Sequence, residues 1–223
     1  MGRFDSYIET ERNNNMLTVQ RICGGMLQTN CYLVTDAATG QTAVVDPGFW
    51  NFQLETALEG KNVRAIWLTH GHFDHISGAA QVQKATGAPV YLHQDEESFL
   101  TDVNLNLSAM MGMRLPPVEA GKLLQDGETI FLGESQFQVL HTPGHTAGGC
   151  CYVGEEILFS GDTLMEGSVG RTDFPTGNWA QLSASLERLR QIPGDREVYP
   201  GHGSSTTLAR ERKINPYMGD TYL

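Results

Sequence analysis

Short apolar runs alternate with polar breaks through the first third of the chain. Residues 17–22, 31–35 and 42–45 are rich in β-branched and aromatic side chains and are separated by Gly, Asn and Asp, which predicts three strands. Asp46-Pro47-Gly48 stops the third. Leu54, Ala57 and Leu58 then recur at helical spacing, predicting a helix over 52–58, and residues 63–69 (VRAIWLT) return to a β-rich run. A second helix is predicted over 76–86, closed by Gly87 and Pro89, followed by a short strand over 90–92. Residues 95–118 follow neither period. Strands resume at 129–132, 137–140, 149–153 and 157–160, with another around 198–199. Residues 179–191 give the best-marked helix. Asn178 and Gln181 make a capping-box-like start, Leu182, Leu186 and Leu189 form its apolar stripe, and Pro193-Gly194 ends it. Strands with helices interspersed in both halves predict layered sheets with helices outside.

Composition narrows this picture mainly by exclusion. At 223 residues, 40% hydrophobic and 18% charged, the chain has the make-up of one globular domain. The polar start, residues 1–15, is expected to be a flexible terminus ahead of a single domain over 16–223. No apolar run approaches the roughly 20 residues of a transmembrane helix. The start also lacks a signal-peptide core, so a cytoplasmic location is expected. The balance of 26 acidic to 15 basic residues gives a net charge of −11. Such a field repels phosphate backbones and anionic lipid, which argues against nucleic acid and membranes as partners. Cys23, Cys31, Cys150 and Cys151 form no CxxC motif and are expected to be reduced, packed thiols.

The chemistry lies in the histidines. Residues 69–75 read THGHFDH. His70 and His72 leave an extended segment on the same side and can chelate one ion together, while Asp74 and His75 sit where the chain turns into a helix and can serve a neighbouring one. A mixed His/Asp set suits zinc, manganese or iron. His145 in TPGHTAGG, Asp162 in FSGDTL and His202 in YPGHGSS each follow a predicted strand end beside glycine, which lets backbone come close to a site. His93 and His141 are expected to pack or to support the site from behind.

The ordered set HxHxDH, TPGHT, SGD and PGH resembles the metallo-β-lactamase-fold hydrolases over about residues 17–216. That resemblance implies an α/β fold, a four-layer αββα sandwich of two mixed sheets with helices outside. It also implies two divalent metal ions at one edge of the sheets, zinc first, with iron or manganese as alternatives. Carried over residue by residue, His70, His72 and His145 hold one metal, Asp74, His75 and His202 the other, and Asp162 bridges both. Two ions sharing a carboxylate lower the pKa of a bridging water and supply hydroxide without a side-chain nucleophile, with Asp74 orienting it. No GxSxG elbow offers a competing nucleophile.

Residues 167–174 (GSVGRTDF) resemble the loop of the glyoxalase II thioesterases in which a basic residue, Arg171 here, meets the substrate. Asp173 stands where larger members carry tyrosine. The short stretch after His202 points to the short, single-domain glyoxalase II-like (hydroxyacylglutathione hydrolase-like) subgroup. The expected substrate is a small-molecule thioester of the S-D-lactoylglutathione type, with relaxed acyl and thiol specificity. Persulfide dioxygenases, which use a single iron, and lactonases share the fold and are the competing enzymes. A non-enzymatic metal module would instead close its coordination sites. Met110, Met111 and Met113 are expected either to wall the pocket or to pack in the core.

Overall fold

The structure is a computed structural model, and it describes residues 8–13 and 16–219. Alternation along the strands builds it. In β3 (Thr29–Asp36), Cys31 and Leu33 face one hydrophobic layer while Tyr32 and Val34 face another.

Seven strands form the first sheet in sequence order: β1 (Ile8–Asn13), β2 (Leu17–Gly24), β3, β4 (Gln41–Val45), β5 (Asn62–Trp67), β6 (Val90–His93) and β7 (Ala120–Leu124). The pairings from β1 to β4 are antiparallel and those from β4 to β7 parallel. The second sheet runs β8 (Thr129–Leu132), β9 (Ser135–His141), β10 (Cys150–Val153), β11 (Ile157–Gly161), β12 (Glu197–Pro200) and β13 (Thr206–Thr207). Its β11–β12 pair is parallel and the others antiparallel.

Three hydrophobic layers hold the stack. The first sheet's outer face packs on Leu54 and Leu58 of helix α1 (Phe52–Leu58) and on Ala79 and Val82 of α3 (Ala79–Thr86). Between the sheets lie Trp67, Tyr32, Phe137, Tyr152, Phe159 and Tyr199. The second sheet's outer face packs on Leu182, Leu186 and Leu189 of α4 (Trp179–Arg190) and on Leu208 of α5 (Leu208–Ile214). This is the expected αββα sandwich of two mixed sheets. Cys150 enters the middle layer and Cys151 the outer one, and all four cysteines are buried thiols outside any disulfide. No helix among the described residues is long and apolar enough to cross a membrane.

Two expectations are corrected. Residues 8–13 do not fray but pair along β2, from Ile8 opposite Ile22 to Asn13 opposite Leu17. Main-chain pairing needs no apolar side chain, so the polar run IETERN gave no strand signal. Residues 1–7 and 14–15, the rest of the expected flexible start, lie outside the described residues. The helix predicted over 76–86 is broken into α2 (Phe73–Ile76) and α3. Gly78 donates to the Pro47 carbonyl, and a Cβ there would lie 2.0 Å from the Phe49 oxygen, so the break seats the 47–49 loop. At the start of the stretch 95–118 that follows neither period, a 3₁₀ helix forms at Gln94–Leu100. Asn178 caps α4 as expected, accepting from the Gln181 amide.

Candidate metal centre

All the ligand-type residues stand where strands of both sheets end at one rim. β5 leads into His70 and His72, α2 carries Asp74 and His75, the loop after β9 carries His145, and Asp162 follows β11. His202 follows β12. The ligand atoms of His70, His72 and His145 lie within 4.8 Å of one another, and so do those of Asp74, His75 and His202. Asp162 lies between the two sets. Its Oδ1 is 3.5 Å from His75 Nε2, and its Oδ2 is 3.5 Å from His145 Nε2 and 3.7 Å from His202 Nε2. Oδ1 thus faces the second set, while Oδ2 lies between a histidine of each.

These residues fit metal ions on two grounds. Nε2 of His70, His72, His75 and His145 and Oδ1 of Asp162 are buried without a hydrogen-bond partner, and they converge on this point. Left dry, each such atom costs about 1–3 kcal/mol, so their convergence calls for a cation. The second ground is charge. Burial, with repulsion from neighbouring imidazoles, holds His70 well below its ordinary range and brings His72 down to about 3, which keeps both in the neutral, ligating form. At His75 burial opposes a charge, yet Asp74, Asp162 and Asp46 outweigh it and lift the ring to about 10. That position favours positive charge, which a proton or a divalent cation supplies.

Surrounding groups fix the orientation of these side chains. Asp46 Oδ2 lies 3.0 Å from His75 Nδ1, and its carboxylate accepts from the Thr69 amide at 2.7 Å and the Thr69 hydroxyl at 2.5 Å. His145 Nδ1 donates to the Arg171 carbonyl at 2.7 Å, which leaves Nε2 to face the centre. Thr29 donates its hydroxyl to Asp74 Oδ2 at 3.2 Å. Glu96, fully buried in the 3₁₀ helix, accepts from the Gly71 amide at 2.8 Å and the Gly148 amide at 2.7 Å, so one carboxylate ties together the loops of the first ligand set.

Over the centre lies a cavity of about 300 Å³, lined by His72, Asp74, His145, Asp162 and His202 at its floor and by Met110, Met111 and Arg171 above. A larger hollow of about 560 Å³ around Gln136 and Glu155 touches none of these residues.

Residues 24–202 match the family described as the Metallo-beta-lactamase superfamily. The chain belongs to this superfamily. Its fold is shared with the B3 metallo-beta-lactamase BLEG-1 at a TM-score of 0.84 and 36% identity, over 90% of this chain and 99% of that one. The structure of TTHA1623 in a di-iron-bound form aligns at 0.79 and 37%, over 88% and 98%. Hydroxyacylglutathione hydrolase GloC of Haemophilus influenzae is 33% identical over 86% of this chain and 93% of its own length.

The structure brings six of the seven residues expected as ligands into two triads and sets Asp162 between them. Arg171 reaches the cavity, but its guanidinium is tied up. It holds Asp173 through two contacts of 2.6 Å and lies 3.9 Å over the Phe174 ring. Met110 and Met111 line the cavity, whereas Met113 does not. His93 and His141 stack on each other at 3.9 Å, and His141 Nε2 meets the Ala147 carbonyl. Sequence reading missed Asp46 as a support for His75 and missed Glu96 altogether. The strand-ending Asp46-Pro47-Gly48 carried a signal for the first. Glu96 in QDEESFL carried none.

Gly201 shows how tightly the rim is drawn. A Cβ there would lie 2.3 Å from Asp162 Oδ1 and 2.6 Å from His75 Cε1. Gly201→Ala is expected to lose about 1–3 kcal/mol of stability by overpacking and to weaken the second ion. Denaturant unfolding together with metal stoichiometry checks this; unchanged values for both would refute it.

Proposed function

We propose that the chain hydrolyses thioesters as a metal-dependent hydrolase of the glyoxalase II (hydroxyacylglutathione hydrolase) type, with relaxed acyl and thiol specificity. The observation that carries this reading is the pair of ligand triads sharing Asp162 at the floor of an open cavity. Kinship with GloC supports the substrate class. Two divalent cations held by His70, His72 and His145 and by Asp74, His75 and His202, with Asp162 common to both, supply Lewis acidity and a lowered water pKa when bound. Zinc is our first choice, and iron is the ion named for TTHA1623. A small-molecule partner and a cytoplasmic setting accompany this proposal.

The protein's own groups position the reaction. Burial works against the charge on Asp74, but His75, His202 and His72 outweigh it and hold the carboxyl well below its usual range. It therefore stays a hydrogen-bond acceptor in the cavity and orients the attacking water. The water oxygen bonds to the carbonyl carbon and its protons pass to solvent, the C–S bond breaks, and the sulfur leaves with its electron pair, so that the products are a carboxylate and a thiolate. A thiol with a pKa of about 8.5 departs as thiolate without a general acid.

Metal analysis of the purified protein tests this, paired with free-thiol release from S-D-lactoylglutathione and with ring opening of a lactone and of the β-lactam nitrocefin. Two metals per chain, thioester cleavage, loss in chelator and recovery with zinc are expected. One iron per chain with oxygen uptake on glutathione persulfide would overturn it.

A further inference from the structure

We infer that the cavity beside the ligand triads is an apolar acyl subsite, made for a medium-length aliphatic or aryl acyl group rather than for the charged ends of glutathione. The reaction rests on the hydrolase reading above, while the ligand class rests on the cavity itself. Apart from the ligand residues, Phe73, Gly170 and Arg171, its wall is built from Leu27, Leu107, Met110, Met111, Met165 and Phe174. Three of these are left open to solvent although they are large and apolar: Leu27 is 50% exposed, Met110 69% and Met111 40%. A contiguous apolar surface around a functional floor marks a binding site, and methionine adapts to varied aliphatic shapes. At the ~30 Å³ that a small group occupies in a condensed phase, a volume of about 300 Å³ holds on the order of ten non-hydrogen atoms.

Backbone geometry shows that the wall is held in place. Leu107 is a bulky residue at φ 65, in the left-handed region that such side chains avoid. Buried Asn106 stabilises the turn. It donates to the Phe99 carbonyl at 2.8 Å, accepts from the Ser108 amide at 3.0 Å, and its carbonyl accepts from the Phe73 amide at 2.8 Å. Phe73 lies between His72 and Asp74, so the apolar wall is fastened to the ligand helix. Strain of this kind persists where the surroundings impose it and gathers at ligand clamps.

Charge points the same way. Among the described residues lining the cavity, Arg171 is the one cation besides the histidines, and it sits in a solvent-exposed bidentate pair with Asp173. Glutathione carries two carboxylates and would compete with Asp173 for that single fork. A neutral acyl chain meets no such competition and gains from every methylene it buries.

The test uses the metal-loaded protein and N-acetylcysteamine thioesters with acyl chains of two to ten carbons, alongside acetyl- and octanoyl-glutathione. S-ethyl and S-octyl thioethers of N-acetylcysteamine, which cannot be cleaved, serve as binding probes by calorimetry. We expect kcat/KM to rise about three- to fourfold per methylene until the cavity is full, at about six to eight carbons. Glutathione should give no advantage over N-acetylcysteamine for the same acyl group. Binding of the octyl thioether should carry a negative heat-capacity change. Met111→Ser should cut the octanoyl-to-acetyl ratio of kcat/KM, and octyl binding, by about tenfold. Thioether binding with this chain-length dependence but no cleavage of any thioester would sink the hydrolase reading and leave the subsite standing. Cleavage with a flat acyl dependence, or a tenfold preference for the glutathione carrier, would sink the subsite and leave the hydrolase standing.

Discussion

Asp162→Asn is expected to bring the bound metal below two ions per chain and to lower kcat/KM by roughly 1,000-fold or more. A bridging ligand must offer negative charge to both ions, and a loss of several kcal/mol of charge stabilisation corresponds to that factor. An amide offers one neutral oxygen. Its NH₂ group would face an imidazole nitrogen at the other side, since the two carboxylate oxygens lie 3.5 Å from His75 Nε2 and from His145 Nε2. The sandwich itself should survive, because Asp162 follows β11 at the rim and contributes to none of the three hydrophobic layers. Metal stoichiometry, steady-state kinetics and a thermal melt on the same preparation check the claim. A variant that keeps two tightly held ions would refute the bridging role.

The second large effect is expected at Glu96. Glu96→Ala leaves the Gly71 and Gly148 amides buried and unpaired, which costs about 1–3 kcal/mol for each. It also frees the loops that carry His70, His72 and His145, so metal affinity at the first triad should fall about 10- to 100-fold. Glu96→Gln keeps the shape and separates the charge from the clamp. Burial pushes the Glu96 carboxyl up to about 7, against the pull of hydrogen bonds from Gly71, Thr146 and Gly148. The folded protein therefore holds this proton more tightly than the unfolded chain does. Stability from the group is fully present below the ordinary glutamate range and is lost as pH rises through about 7. The wild-type excess of unfolding free energy over Glu96→Gln should shrink across that window. A difference that does not vary with pH would show that the carboxyl is not held this way.

The ligands were legible in the sequence because the chemistry that binds metals also marks the chain. HxHxDH packs four donors into one turn, and His145, Asp162 and His202 each sit beside a glycine at a strand end. Glu96 was not legible. Its partners are backbone amides of Gly71 and Gly148, which the fold alone brings to it. Arg171 illustrates a different limit. Its position at the cavity could be anticipated, but its guanidinium pairs with the exposed Asp173, and its carbonyl rather than its guanidinium orients His145. The layers were readable from alternation wherever a strand buries a face. They were not readable at β1, where the pairing is all main chain, nor at Gly78, where one close approach divides a helix that the spacing draws as continuous.

The aromatic middle layer does more than fill space between the sheets. Tyr152 gives its hydroxyl to the Leu68 carbonyl at 2.8 Å, and Tyr32 gives its own to the Pro200 carbonyl at 2.6 Å. These carbonyls stand two residues before His70 and His202. Trp67 lies in the same stack, 5.2 Å from Tyr152 and 4.9 Å from Phe137, and is fully buried, whereas Trp179 is 40% exposed. Trp67 is thus a built-in optical gauge of the platform beneath the ligands: with Trp50 and Trp179 replaced by Phe, a red shift of the remaining emission would register a loosening of that stack.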